Sequence, residues 1–113
     1  MDESAAALVP ENQAEGARSL IVLQTADVRV VEYVLAPGAR LGWHRHSEIT
    51  DRFYCLSGTV RVDMRDPPET RVLAPGESCL VPVGRVHAAV NADGGVSSYL
   101  LVQGVGRYDF IAA

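Results

Sequence analysis

Apolar and charged side chains alternate strictly over residues 60–65, with Val60, Val62 and Met64 set against Arg61, Asp63 and Arg65. Period two places the two sets on opposite faces, which predicts a half-exposed antiparallel strand over residues 59–65. Other short apolar runs read as strands at 19–24, 28–35, 41–46, 52–56, 70–73, 78–81, 86–90 and 97–103. The run at 19–24 is almost continuously apolar, so it is expected to be buried on both faces. In 28–35, Arg29, Val31, Tyr33 and Leu35 share one parity and Val28, Val30, Glu32 and Val34 the other. Neither set is polar, and the inward parity stays open.

Turn signals separate these runs: Ala36-Pro37-Gly38, Ser57-Gly58, Asp66-Pro67-Pro68-Glu69, Ala74-Pro75-Gly76-Glu77 and Asn91-Ala92-Asp93-Gly94-Gly95. About nine short strands and no helix predict an all-β sandwich or double-sheet roll. Residues 1–18, broken by Pro10 and Gly16, are expected to form a flexible tail, or an arm that adds to a partner's sheet edge. Residues 19–113 are expected to form a single domain, in which the segment after Gln103, with Tyr108 and Phe110, packs onto the outside or a neighbour.

A chain of 113 residues with 48% hydrophobic and 21% charged residues has the composition of one folded domain with a modest core. A formal net charge of −4 argues against non-specific binding to nucleic acid or an anionic membrane. No apolar run approaches the roughly 20 residues that span a bilayer. Residues Met1-Asp2-Glu3-Ser4 are acidic where a secretory leader is basic. Cys55 and Cys79 each sit in an apolar run, outside any Cys-x-x-Cys spacing. Two buried free thiols in a reducing cytoplasm are therefore expected.

All three histidines fall in two segments, 38–51 and 76–91. His44 and His46 are two apart, so on a strand they share a face. His87 follows the turn Pro82-Val83-Gly84. Imidazoles on facing strands of a small β-structure are well placed to hold one transition metal. No nucleophile–histidine–acid triad stands out once the histidines are used this way.

The spacing of these residues resembles the cupins. Gly38, His44, His46, Asp51 and Gly58 match the first cupin motif, and Gly76, Pro82, Gly84, His87 and Asn91 match the second without a gap. The resemblance implies a cupin-type jelly-roll β-barrel (a double-stranded β-helix) holding one divalent transition metal per chain: Fe, Mn, Ni, Cu or Zn. The family's ligand positions fall on His44, His46, Asp51 and His87. The departure is Asp51, where the family usually has glutamate. An aspartate reaches one methylene less, and three readings stay open: direct ligand, ligand through water, or a group that orients a histidine. Glu48 is a competing carboxylate, off the family register.

If Asp51 points inward, parity sends Phe53 and Cys55 inward, as pocket lining or as core packing. Arg40 shares the parity of His44: turned inward it is a candidate partner for a substrate carboxylate, and otherwise it takes a solvated position at the rim. Tyr33, Tyr99 and Gln103 are candidate polar pocket groups, and Trp43 faces outward, towards a dimer contact. Three function classes follow. One is a metal-dependent enzyme acting on an oxygen-rich small molecule, as a dioxygenase or as an isomerase, cyclase or lyase working through an enolate. The others are a non-enzymatic module that senses or stores a metal or small ligand, and a metal-free structural barrel. The resemblance also implies a homodimer.

Overall fold

The computed structural model describes residues 16–113 and the backbone of Ala6–Ala7. Eleven strands follow in order: β1 (Ala6–Ala7), β2 (Ala17–Gln24), β3 (Val28–Leu35), β4 (His44–Arg45), β5 (Thr50–Ser57), β6 (Val60–Met64), β7 (Glu69–Leu73), β8 (Ser78–Val81), β9 (His87–Val90), β10 (Ser97–Gly104) and β11 (Ile111–Ala112). They form two antiparallel sheets, six-stranded β1-β2-β3-β10-β5-β8 and five-stranded β11-β4-β9-β6-β7. Among the described residues there is no helix, and so none long and apolar enough to cross a membrane. This is the all-β jelly-roll barrel expected from the sequence.

Alternation fills the interior. Buried Val60, Val62 and Met64 of β6 face buried Phe53 and Cys55 of β5, Val31, Tyr33 and Leu35 of β3, and Tyr99 and Leu101 of β10 in one core. Tyr33 and Tyr99 stack with centroids 5.1 Å apart. Such a pair contributes about 0.5–1.5 kcal/mol beyond its area burial. On β3 the odd positions point inward, so Arg29 faces the barrel interior on the same side as Val31 and Tyr33.

One end of the barrel is closed by Asn91, which is fully buried. Its amide nitrogen donates to the carbonyls of Leu35 (2.9 Å), Ala36 (3.1 Å) and Gly95 (2.8 Å), and its oxygen accepts from Asp93 N (2.9 Å). The motif asparagine thus ties the β3–β4 and β9–β10 connections together.

The structure corrects three expectations. The run at 19–24 is not buried on both faces: Ile21, Val22 and Leu23 are 44%, 54% and 54% exposed. Sheet position overrides the apolar pattern, because β2 lies next to the sheet edge and has a register shift between Ile21 and Leu23. The run at 41–46 is strand only at His44–Arg45, after a bend at Trp43. The final segment does not pack on the outside. It crosses the barrel's open end, and β11 pairs with β4 through Ile111↔Arg45 and Ala112↔His44. The expected tail or arm lies outside the described residues up to residue 15, apart from Ala6–Ala7, which pair with Leu20 and Ser19 of the same chain.

Candidate metal centre

Two rows of paired residues face each other across the open end. On the six-stranded sheet, Gln103 of β10 stands between Arg29 of β3 and Asp51 of β5. On the five-stranded sheet, His87 of β9 stands between His44 of β4 and Met64 of β6. His46 lies just beyond β4 on the inner face. Donor atoms of His44, His46, Asp51 and His87 all lie within 4.8 Å of one another, and all four residues are buried. Two opposed metal bonds of about 2.1 Å each reach roughly 4 Å. A small inward shift therefore suffices to close the set on one ion.

The imidazoles are held from behind. The Nδ1 of His44 donates to Gly42 O at 2.7 Å, that of His87 to Arg85 O at 2.8 Å, and that of His46 to Asp109 O at 2.5 Å. A carbonyl only accepts, so each Nδ1 carries a proton, and Nε2 is the atom that the His46 and His87 rings turn on Asp51. Two of these nitrogens meet the same acceptor, since Asp51 Oδ2 lies 3.1 Å from His46 Nε2 and 2.9 Å from His87 Nε2. The other carboxylate oxygen, Oδ1, accepts from Gln103 Nε2 at 3.0 Å. Acceptors packed at this distance need a cation between them, either a proton on an imidazole or a metal ion. The donor set, three imidazole nitrogens and one carboxylate oxygen, suits a divalent transition metal.

Protonation follows the same geometry. Burial, then the neighbouring His87, lowers the pKa of His44 from 6.5 to about 4. At His46 burial opposes the proton, but the hydrogen bond and charge of Asp51 outweigh it and raise the pKa. Burial also opposes the charge of Asp51, yet the hydrogen bonds from His46 and His87 hold its carboxyl well below the usual carboxylate range.

Aromatic side chains close the site. Phe110 stacks on His44 with centroids 4.6 Å apart, and Tyr108 lies 5.6 Å from His46. Asp109 between them fastens the strap: its Oδ1 accepts from Ser47 N at 2.9 Å and its Oδ2 from the Ser47 hydroxyl. From below, Phe53 meets His87 edge-on at 6.2 Å.

Of the residues singled out in the sequence, the structure gathers His44, His46, Asp51 and His87, with Gln103 against Asp51 and Phe53 under His87. Cys55, Tyr33 and Tyr99 lie deeper, in the core. The pocket-lining reading of Arg40 is corrected in favour of the solvated one: it is exposed and lies over Trp43, whose ring also carries the Arg65 guanidinium at 3.9 Å. Ala39 and Leu41 are buried before the bend at Trp43, and His44 and His46 after it. Inward parity thus slips by one residue, and a parity carried back from His44 misplaces Arg40. Glu48 is exposed beside Arg107 and takes no part in the cluster. Sequence reasoning missed Arg29, Tyr108, Asp109 and Phe110. For the last three a signal was available, two aromatics at period two.

A family model of the cupin domain matches residues 31–103, and the chain belongs to the cupin family. It is 40% identical over 45 residues to the Bacillus subtilis protein YdbB, a stretch spanning 40% of this chain and 39% of that one. Among solved structures it resembles the polyketide cyclase RemF from Streptomyces resistomycificus, with TM-score 0.82 and 22% identity over 96% of this chain and 78% of that one. KdgF from Halomonas sp. matches at TM-score 0.72 and 26% identity over 82% and 83% of the two chains. TT1209 from Thermus thermophilus matches at TM-score 0.74 and 26% identity over 93% and 95%.

Proposed function

We propose that His44, His46, Asp51 and His87 hold one divalent transition metal, and that the protein is a metal-dependent enzyme acting on an oxygen-rich small molecule. The observation that carries this reading is the buried convergence of three imidazoles and one carboxylate, with donor atoms all within 4.8 Å of one another and the Nε2 atoms of His46 and His87 both against Asp51 Oδ2. Bound there, the metal would supply Lewis-acid stabilisation of enolate-like charge on a chelating substrate. The chain's own groups do the rest. Gly42, Arg85 and Asp109 carbonyls orient the rings. Gln103 aims Asp51 into the cluster. Phe53, Phe110 and Tyr108 keep bulk water from the rings. Proteins similar to this one include a cyclase and, at 17% identity, an oxalate oxidase bound to glycolate, so the barrel accommodates both kinds of chemistry.

Element analysis of purified, reconstituted protein tests the reading. Near one metal per chain is expected, and a ratio near zero after reconstitution rejects it. O2 uptake during turnover then selects dioxygenation, and turnover under argon selects isomerase, cyclase or lyase chemistry. The same proposal places the protein in the cytoplasm, where buried free Cys55 and Cys79 stay reduced, and pairs it as a homodimer.

A further inference from the structure

Arg29 is 8% exposed, and among the described residues it has no carboxylate partner. Its Nη1 donates to Gln103 Oε1 at 2.8 Å, and its guanidinium carbon lies 4.3 Å from the centroid of Tyr108. Buried arginines are almost always paired, because an uncompensated charge away from water is costly. The nearest acid along this row is Asp51, reached only through Gln103, and it already faces two imidazoles. Filled with a divalent ion, this end of the barrel would hold a guanidinium and a dication against a single buried carboxylate, Asp51, with the Asp109 carboxylate half-exposed in the covering segment. Two positive charges would stand in excess of the buried acid, among the rings of Tyr108, Phe110 and Phe53. Tyr108 touches both parts of this end, lying over Arg29 and beside His46.

We propose that Arg29 is the anion-recognition residue of this site, and that its ligands are small carboxylic acids, bound through oxygen at the metal position with a carboxylate turned to the guanidinium. This rests on the metal reading above and adds the substrate's charge to it. Gln103 is the positioning residue: its amide oxygen takes one guanidinium donor and its NH2 takes Asp51. The remaining donors of the guanidinium fork stay available to a planar carboxylate.

The test is titration calorimetry with malonate and its neutral counterpart malonamide, on zinc-loaded and metal-free protein, for the wild type, Arg29→Met and Arg29→Gln. Zinc-loaded wild type is expected to bind malonate at least tenfold more tightly than either variant, at equal zinc content. Malonamide is expected to bind all three equally weakly. Unchanged malonate affinity in a folded, zinc-loaded variant overturns the proposal and leaves the metal reading standing. If the wild type takes up no zinc, the metal reading fails and the metal-free titration decides Arg29 separately. Malonate binding weakened by the variants then supports it, whereas equal or absent binding overturns it. Should neither variant fold, the metal-free wild type still decides: preference for malonate over malonamide supports the proposal, and no preference overturns it.

Discussion

Each imidazole of the cluster is pinned by a carbonyl, so the protein's hold on a metal depends on single groups. His87→Ala is expected to remove most metal binding. Asp51→Ala keeps three nitrogen donors and should weaken binding less than His87→Ala does, by about 10–100-fold if Asp51 only orients a histidine and by more if it is itself a ligand. Competition with a chelator measures both. Proton linkage gives a second test on the metal-free chain. His44 titrates near 4 when folded and 6.5 when unfolded, so stability falls as pH drops from 6.5 towards 4. The raised pKa of His46 acts oppositely, its stabilisation being complete below 6.5 and lost as pH rises through the folded value. The melting temperature should therefore peak near pH 6.5, and metal loading should flatten the alkaline limb because the ion replaces the proton. A third residue bears on the core. The Tyr99 hydroxyl is buried without a partner among the described residues. Tyr99→Phe should leave the melting temperature unchanged or raise it.

At the scale of elements, the motif glycines differ in what they do. Gly58 has φ +67, and a Cβ there would lie 2.7 Å from Val96 O and 2.9 Å from Ser97 Cβ. Gly76 has φ +89 with open space around it. Gly58→Ala should cost at least about 2 kcal/mol, from strain plus clash, and Gly76→Ala about 1 kcal/mol, from strain alone. Urea unfolding distinguishes them. The histidine positions were legible in the sequence because period two and a following turn fix where side chains point. Arg29 was not, since both parities of β3 are apolar enough to face inward. Arg40 was misplaced for the opposite reason: parity was extended through a bend at Trp43 that no residue type announces. The crossing of 105–113 over the site was illegible because it depends on Asp109 meeting Ser47, a contact 62 residues apart in the chain.

Across the whole molecule, the outer face of the six-stranded sheet carries Tyr54, Leu56, Leu80, Leu100 and Val102, of which the first three are 37%, 46% and 44% exposed. Exposed apolar area of this kind favours association. The proposed homodimer is expected to use this face. Light scattering should give the mass of two chains of 12.1 kDa each, and Leu80→Asp should shift it to one. An all-β double sheet was legible from strand count and turn spacing, and the jelly-roll barrel from the motif resemblance, whereas the exposure of β2 was not, because an apolar run reads alike in a sheet's centre and near its edge.

The backbone oxygen that steadies the His46 ring belongs to Asp109, between the two aromatic covers. A molecule entering past Tyr108 and Phe110 therefore disturbs the same segment that keeps a metal donor in place. Admission and retention share one free energy: a guest that leaves the segment seated slows escape of the ion, and one that lifts it hastens escape. By reciprocity, loading the ion changes the guest's affinity by the same factor.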